Sequence, residues 1–341
     1  MTMPEPATAP FRVLTAQEIR RQIDGSRPAC VDVVRRGYLL HAGGDAVNPH
    51  SSFLRFPQQP RARIISLPAY LGGEFEVAGI KWIASFPDNI RRGIERASAT
   101  LVLNDTSTGR PFVCMEASVI SATRTAGSAV LAAEALTGGR TASRVGLVGT
   151  GLIAGHVWRF LRDLGWKISG FRLFDIDRGN AERFGRRLRA DCATDVVVVD
   201  RAEDAFAECD LVVLATVAAQ PHIIDPAVLA HAPVVLHLSL RDLGVELILA
   251  AQNITDDVDH AVREGTSLHL AAQQTGDLGF LDGTLAEVLA GDVTVDRTRP
   301  VIFSPFGLGV LDLAIGKWVY DRAVAAGEGR EIENFFNEAG A

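Results

Sequence analysis

The sequence has no excess of positive charge, no long apolar run and few cysteines. Its 341 residues carry 34 Lys and Arg against 41 Asp and Glu, and the net charge of −7 excludes a protein held to nucleic acid mainly by charge. No run reaches the roughly 18 uninterrupted apolar residues of a membrane-spanning helix, so we expect no membrane partner. With 48% hydrophobic and 22% charged residues, the composition predicts a soluble globular protein with a sizeable core.

The four cysteines are far apart in the sequence. Cys30, Cys114, Cys192 and Cys209 form no Cys-x-x-Cys pair, which argues against a disulfide scaffold and against a thiolate metal site. The segment Met1–Pro10 lacks the cationic start and the apolar core of a secretory signal. We therefore expect reduced cysteines and a cytoplasmic location.

Two kinds of catalytic signature are also missing. The chain contains no Gly-x-Ser-x-Gly or Ser-x-x-Lys motif, so acyl transfer by a serine nucleophile has no support. None of the eight histidines shows the spacing of metal ligands; His231 and His237, for example, are six residues apart across a predicted buried strand.

The first part of the chain is predicted to be a mixed, largely antiparallel α+β domain. Thr15 followed by Glu18 has the capping-box spacing of a helix start, and a second helix is predicted over Ser26–His41. Short β-rich runs follow, separated by Gly, Pro, Asn and Asp: Phe53–Phe56, Arg63–Leu67, Val77–Ser85, Thr100–Leu103 and Pro111–Met115. The segment Leu103–Arg110 predicts a hairpin turn between the last two runs.

A different pattern follows a small-residue helix predicted at Ala126–Leu136. From Arg144 onward, strands alternate with helices, and the strands are predicted at Val145–Val148, Phe171–Asp175, Val196–Val199, Leu211–Ala215, Val234–Leu240 and Pro300–Phe303. This alternation predicts an α/β fold with a Rossmann-type, doubly wound parallel sheet. The predicted domains are residues 1–124 with 310–341, because the last long helix is expected to pack back on the first part, and residues 125–309.

A strand, a glycine turn and a helix follow one another near residue 149. The segment Gly149-Thr150-Gly151-Leu152-Ile153-Ala154 matches Gly-x-Gly-x-x-Ala between a predicted strand and an amphipathic helix. Gly149 permits the tight turn, Gly151 lets the backbone approach a pyrophosphate, and Ala154 allows close packing of helix on strand. A glycine turn alone can have purely geometric reasons, but this context predicts a dinucleotide site.

The cofactor expected at this site is NAD. Asp175 ends the next predicted strand, 26 residues after Gly149, where a carboxylate accepts hydrogen bonds from ribose hydroxyls and repels a 2′-phosphate. Arg178 either meets a phosphate or is a solvated residue at a helix start. Thr216, at the end of an apolar strand, either contacts the cofactor or caps a turn.

Three further residues are candidates for binding and chemistry. Lys81 lies in the apolar strand Val77–Ser85, where it either has a partner or protects a sheet edge from aggregation. Arg124 stands among small residues, and its planar fork of donors suits a substrate carboxylate or an interdomain salt bridge. Asp242 follows a buried strand, so it is either a catalytic group at the cofactor edge or the cap of the next helix.

Four segments together resemble the ornithine cyclodeaminase/mu-crystallin family over nearly the whole chain. They are Gly79-Ile80-Lys81, Ser121-Ala122-Thr123-Arg124-Thr125, the glycine motif, and Phe303-Ser304-Pro305-Phe306-Gly307. The resemblance implies that Lys81 and Arg124 bind the substrate α-carboxylate and that Asp242 is the general acid/base. It also implies a homodimer formed through the first domain.

Further segments are similar to the 2,3-diaminopropionate biosynthesis branch of that family. They are Asn48–Phe56, Lys81–Ile90, Arg96–Ala99 and Ser239–Leu243. That branch implies a small, polyanionic secondary amine that joins glutamate to a diaminopropionate unit. Arg55, Lys81 and Arg124 would bind its carboxylates, and Asp242 would hold the amine proton while hydride leaves for NAD⁺. Hydrolysis of the imine would then release 2-oxoglutarate and L-2,3-diaminopropionate, for siderophore or antibiotic biosynthesis.

Two other functions are compatible with the residues. The first is another activity of the family, such as an ornithine cyclodeaminase or a ketimine or alanine dehydrogenase. The second is a non-catalytic ligand-binding protein of the mu-crystallin kind, against which the presence of Lys81, Arg124 and Asp242 argues.

Overall fold

The computed structural model describes residues 10–192 and 194–336, which divide into two compact units. Unit 1 comprises Met1–Ser26, Gly43–Ser121 and Gly309–Ala341, and unit 2 comprises Arg27–Ala42 and Ala122–Leu308. Residues 1–9, for which we predict no secretory signal, lie outside the described residues. Within the described ranges, no helix combines the length and the apolar character needed to span a bilayer.

The strands are, in chain order, β1 (Phe11–Leu14), β2 (Ala46–Val47), β3 (Ser52–Phe56), β4 (Gln59–Leu71), β5 (Val77–Ser85), β6 (Ala97–Asp105), β7 (Pro111–Glu116), β8 (Thr141–Val148), β9 (Lys167–Phe174), β10 (Asp195–Val198), β11 (Leu211–Leu214), β12 (Val234–His237), β13 (Gln252–Thr255), β14 (Leu281–Thr284), β15 (Val301–Phe303) and β16 (Arg330–Ile332). The α-helices are α1 (Ala16–Ile23), α2 (Arg27–Ala42), α3 (Ser118–Thr137), α4 (Leu152–Asp163), α5 (Arg178–Asp191), α6 (Val245–Ala250), α7 (Val258–Ala261), α8 (Ser267–Thr275), α9 (Leu285–Ala290) and α10 (Gly309–Ala325). Short 3-10 helices occupy Pro87–Arg92, Glu203–Ala205 and Pro226–Leu229.

Unit 1 is built on a mixed sheet that α10 covers. The strand order is β16-β1-β7-β6-β5-β4-β2, with β3 paired to β4; β1 and β7 run parallel, and the other pairs are antiparallel. The apolar first half of α10 is buried and packs on β4, β5 and β6. The predicted capping box is present at α1, where Thr15 and Glu18 exchange hydrogen bonds. The predicted α+β unit is thereby confirmed.

Unit 2 contains a parallel sheet with the strand order β10-β9-β8-β11-β12-β15-β13-β14. Its first strand, β8, lies inside the sheet, and later strands are added on both sides of it, as in a doubly wound dinucleotide-binding fold. Every residue of β11 and β12 is buried, which is the pattern of parallel strands covered on both faces. The predicted Rossmann-type α/β fold is confirmed.

Helix α2 groups with unit 2, whereas the predicted boundary at residue 124 places it in the first domain. The Tyr38 hydroxyl and Ser128 Oγ are 2.7 Å apart in a buried hydrogen bond between α2 and α3. Arg27 donates to Asp163 Oδ2 on α4 over 2.5 Å. The spacing of apolar residues predicts this helix but not the elements that pack on it, because one apolar helix face can pack on many different neighbours.

Two element boundaries near candidate residues also differ from prediction. Helix α3 begins at Ser118 rather than Ala126, because Glu116 accepts the N–H groups of Ser118 and Val119 and so caps an earlier start. Arg124 is therefore inside a helix. Strand β12 ends at His237 instead of Leu240, which has a left-handed φ of 74° that no strand accommodates.

Candidate active site

The glycine turn between β8 and α4 has the geometry of a pyrophosphate cradle. Gly149 has a φ of 85°, and a Cβ there would lie 2.6 Å from the carbonyl oxygen of Ala215, so only glycine fits. Gly151 is the N-cap of α4, and a Cβ there would meet open space. Among the described residues, no side chain caps this helix, which leaves its first N–H groups available to an anion. Leu152 is exposed and Ile153 half-buried beside them.

Asp175 lies one residue beyond β9 and supports the glycine turn. Its Oδ2 accepts hydrogen bonds from the backbone N–H and the hydroxyl of Thr150, both over 2.8 Å, while Oδ1 accepts from the N–H of Asp177. The side chain of Ile176, next in sequence, is 98% exposed. The carboxylate thus stands at the carboxyl end of β9 and is bonded to the glycine turn, and its predicted contact with a ribose stays a prediction.

Arg178 is engaged by neighbouring acids at the start of α5. Its guanidinium donates to Glu182 over 3.2 Å and also forms an ion pair with Asp200. Both pairs are exposed to solvent. This arrangement favours the solvated helix-start alternative over the predicted contact with a cofactor.

Asp242 is the centre of a hydrogen-bonded cluster in unit 2. Its carboxylate is fully buried; Oδ1 accepts from Thr216 Oγ1 over 2.5 Å and from His222 Nε2 over 2.9 Å, and Oδ2 accepts from Ser239 Oγ. Burial by itself would raise the pKa of Asp242, but the hydrogen bond from His222, the adjacent His237 imidazole and the hydrogen bond from Ser239 outweigh it and hold the pKa far below its usual range. Asp242 is therefore an ionised acceptor.

The alternative role of Asp242 as a helix cap is wrong. Helix α6 begins after Gly244, which is its N-cap, and that cap makes no side-chain hydrogen bond. Thr216 caps the turn after β11, because its Oγ1 accepts from the N–H of Ala218, and it also donates to Asp242. The turn after β11 is thereby connected to the turn after β12. The predicted contact of Thr216 with the cofactor stays a prediction.

His237 is hydrogen-bonded to the backbone of Asp242. It is fully buried at the end of β12, its Nε2 accepts the backbone N–H of Asp242 over 3.1 Å, and its Nδ1 lies 3.1 Å from Ser304 Oγ. An accepting Nε2 requires the neutral tautomer that carries its proton on Nδ1 and donates it to Ser304. His237 thus fixes the backbone of Asp242 and links it to the loop after β15.

Arg124 lies against the loop that follows β15. The guanidinium packs so closely on Gly307 that a Cβ at that glycine, whose φ is 98°, would lie 2.5 Å from Nη1. Asp256 holds the same loop by accepting the N–H groups of Phe306 and Gly307 over 2.8 and 2.6 Å. Burial raises the pKa of Asp256, an effect that these bonds and the charge of Arg124 only partly offset.

Lys81 occupies the interior of unit 1. Its strand, β5, is paired along its whole length with β4 and β6, so the alternative of an edge-strand lysine is wrong. The ammonium is buried, lies 2.5 Å from Asp312 Oδ2 on α10 and donates to Ser121 Oγ over 3.3 Å. Asp312 is therefore the partner that the apolar surroundings of Lys81 predict.

Arg55 is on the surface of unit 1. Its side chain is exposed on β3, with the guanidinium carbon 5.3 Å from the centroid of the Phe53 ring. Its predicted contact with a substrate carboxylate stays a prediction.

Sequence reasoning missed the histidines of the Asp242 cluster. Metal-ligand spacing, which neither His222 nor His237 has, does not identify them. The useful signal was position: His222 follows β11 and His237 ends β12, and ligands of such sheets bind beyond the carboxyl ends of the strands.

Comparisons with known proteins agree with this architecture. The sequence model of the "Ornithine cyclodeaminase/mu-crystallin family" matches residues 12–327. An N-((2S)-2-amino-2-carboxyethyl)-L-glutamate dehydrogenase of Staphylococcus aureus is 28% identical over 304 residues, covering 86% of this chain and 89% of that protein. An alanine dehydrogenase of Archaeoglobus fulgidus is 27% identical over 336 residues, covering 95% and 98%. An archaeal alanine dehydrogenase dimer with bound NAD shares the fold, with a TM-score of 0.85, 24% identity, and coverage of 95% of this chain and 99% of that one.

Proposed function

The chain belongs to the ornithine cyclodeaminase/mu-crystallin family, and we propose that it oxidises an amino acid at its α-carbon. The predicted class, an NAD-dependent amino-acid dehydrogenase, agrees with the dehydrogenase names of the relatives and with the NAD bound in the archaeal structure. The observation that carries the proposal is a continuous path of contacts in unit 2. Gly149 packs on Ala215 and Thr216, and Thr216 donates to the buried carboxylate of Asp242.

The glycine turn and its neighbours fit a dinucleotide. The N–H groups at the start of α4, including those of Leu152 and Ile153, would bind the pyrophosphate, and Thr150 would stay in place through Asp175. A free lone pair of the Asp175 carboxylate would accept a ribose hydroxyl, which favours NAD over NADP. Bound NAD⁺ supplies the acceptor for the hydride.

The substrate that we propose is N-(2-amino-2-carboxyethyl)-L-glutamate. Support comes from the S. aureus relative and from the segments that resemble the diaminopropionate branch. The balanced reaction converts the protonated secondary amine, NAD⁺ and water into L-2,3-diaminopropionate, 2-oxoglutarate, NADH and one proton. The hydride leaves the glutamate α-carbon with its bonding pair, the nitrogen lone pair forms the C=N bond, and water then adds to that carbon.

The cationic side chains are assigned to the carboxylates of this substrate. Arg124 offers a planar fork that is held beside Gly307, a geometry suited to bidentate binding. Lys81 and Arg55 complete the proposed set. In unit 1 the Lys81 ammonium already pairs with Asp312 and donates to Ser121.

The product suggests a place in metabolism. L-2,3-diaminopropionate would enter a siderophore or antibiotic pathway, and we propose that the reaction takes place in the cytoplasm. We also propose that the chain forms a homodimer through unit 1, as predicted; the archaeal structure with the same fold is a dimer.

The proposal is tested by incubating the purified protein with NAD⁺ and the candidate amines, following the nicotinamide absorbance, and identifying the products by mass spectrometry. We expect NADH, 2-oxoglutarate and L-2,3-diaminopropionate in equal amounts. Ammonia and proline from ornithine without net NADH would indicate a cyclodeaminase, and NADH with pyruvate and ammonia from alanine would indicate an alanine dehydrogenase. Binding without turnover of any candidate would indicate a ligand-binding protein.

A further inference from the structure

The Asp242 carboxylate is poorly placed to exchange protons with a substrate. It has no exposed surface, and both oxygens already accept hydrogen bonds from side chains of the cluster. A general acid/base must reach the proton that it transfers, directly or through one water. Another group of the cluster has to carry the proton between the carboxylate and the ligand side of the sheet.

His222 is the member of the cluster that reaches solvent. It follows Pro221 in the turn after β11, and its side chain is 36% exposed while its Nε2 contacts Asp242 Oδ1. Within the described ranges, its Nδ1 has no hydrogen-bond partner. Because Asp242 is an ionised acceptor, Nε2 must donate, and the neutral ring therefore has a lone pair on the exposed Nδ1.

The ring and the carboxylate share one rigid frame. The backbone N–H groups of His222 and Ile223 donate to the carbonyl oxygen of Asp242 over 3.0 and 2.9 Å. Ile223 also forms a parallel bridge with Leu243. The imidazole is thus held by its carboxylate partner and by the strand-like pairing of the two turns, which is how a proton-transferring histidine is kept in one orientation and one tautomer.

The electrostatic surroundings favour protonation of His222. The hydrogen bond that His222 donates to Asp242 raises the pKa of His222, burial partly opposes this, and the charges of Asp242 and Glu203 raise it further. His237 lies on the other side of the carboxylate, with its Nε2 3.6 Å from Asp242 Oδ2.

We propose that His222 is the catalytic acid/base of the reaction and that Asp242 is its positioning residue. This inference rests on the proposed function, because it assigns the proton that an amine oxidation requires. In the first step an N–H bond of the protonated amine breaks, an Nδ1–H bond forms on His222, and the lone pair stays on the substrate nitrogen. Water then adds to the carbon of the protonated imine and loses one proton to solvent. The proton on His222 returns to the nitrogen as the C–N bond breaks, and the hydroxyl proton passes to the released amine as the carbonyl of 2-oxoglutarate forms.

The test compares the wild type with His222→Gln and His222→Ala, using the amine with the highest turnover. We expect kcat/KM to fall by about 10²–10⁴-fold in both variants and the acidic limb of its pH profile to disappear. Added imidazole should restore part of the rate of His222→Ala but not that of His222→Gln, whose side chain fills the space. His231→Gln, a substitution at a histidine that contacts the Cys209 carbonyl oxygen instead, is the matched control and should keep the wild-type profile.

A second readout does not depend on turnover. The NMR titration of the His222 ring should show a pKa above the ordinary histidine value of about 6.5 in the wild type and a downward shift in Asp242→Asn. If His222→Gln retains the wild-type rate and acidic limb, the inference is overturned and Asp242 transfers the proton itself. If the wild type oxidises no amine, the proposed function fails and this inference fails with it.

Discussion

The ammonium of Lys81 and the carboxylate of Asp312 form an ion pair withdrawn from solvent inside unit 1. Nζ and Oδ2 are 2.5 Å apart, and the side chains are 1% and 0% exposed. If one of two buried charges is removed, the other stays buried without a partner, and its desolvation then destabilises the fold. The ion pair therefore connects β5 to α10, and the loss of either side chain should destabilise unit 1.

Removing one member of this pair should destabilise the protein. We expect Asp312→Asn to lower the free energy of unfolding by about 3–5 kcal/mol, because it leaves a buried ammonium without its counter-charge. Urea denaturation measures the change. Asp321→Asn, which breaks the exposed Lys317–Asp321 pair on the same helix, is the control and should cost at most about 0.5 kcal/mol. Equal costs for the two variants would contradict the prediction.

Substitution of Gly149 should weaken nucleotide binding. In Gly149→Ala the new Cβ would lie 2.6 Å from the Ala215 carbonyl oxygen, so the turn between β8 and α4 must move. We expect the affinity for NADH, measured by fluorescence titration, to fall at least about tenfold, equivalent to 1.4 kcal/mol. Gly165→Ala is the control for backbone strain without a steric clash, because Gly165 also has a positive φ but an added Cβ there would meet open space. This control should lose stability and keep its affinity.

Removal of the Asp175 carboxylate should weaken the preference for NAD over NADP. Asp175→Ser eliminates the charge that repels a 2′-phosphate, and we expect the ratio of kcat/KM for NAD⁺ to that for NADP⁺ to drop about tenfold or more. The variant also loses the bond to the Thr150 hydroxyl. Thr150→Val loses that bond and keeps the charge, so it should affect both cofactors alike. A shift in preference in Thr150→Val would show that the loop rather than the charge selects the cofactor.

The stability contributed by Asp242 should depend on pH. Its folded-state pKa is lowered, so its contribution is present above the unfolded pKa of about 3.9 and is lost as the pH falls through the lower folded value. We expect the difference in unfolding free energy between the wild type and Asp242→Asn to be largest near neutral pH and to shrink below about pH 4. Asp200→Asn, at an exposed aspartate, should show little difference at any pH. A difference that grows in acid would contradict the assignment.

Several parts of the fold could be predicted from residues that are close together in the sequence. The Thr15–Glu18 capping box, the bounds of β5 and the Gly149–Ala154 turn all depend on backbone sterics and on residue preferences within a few positions. These rules act over one turn of helix or one step of strand. Weak strands without a clear pattern, such as β14 with the sequence Leu-Asp-Gly-Thr, escaped prediction because only their neighbours in the sheet stabilise them.

Some features of the candidate site can likewise be predicted from the sequence, and others cannot. The chain itself was sufficient to identify the nucleotide fold, the position of Asp175 and the charged residues worth testing, since each stands at a recognisable place beside a glycine turn or a strand end. Only tertiary structure determined that Asp312 neutralises Lys81 across 231 positions and that His222, Ser239 and Thr216 saturate the carboxylate of Asp242. Such contacts join separate turns and helices, and they depend on which loops the sheet brings together rather than on any local preference of the residues.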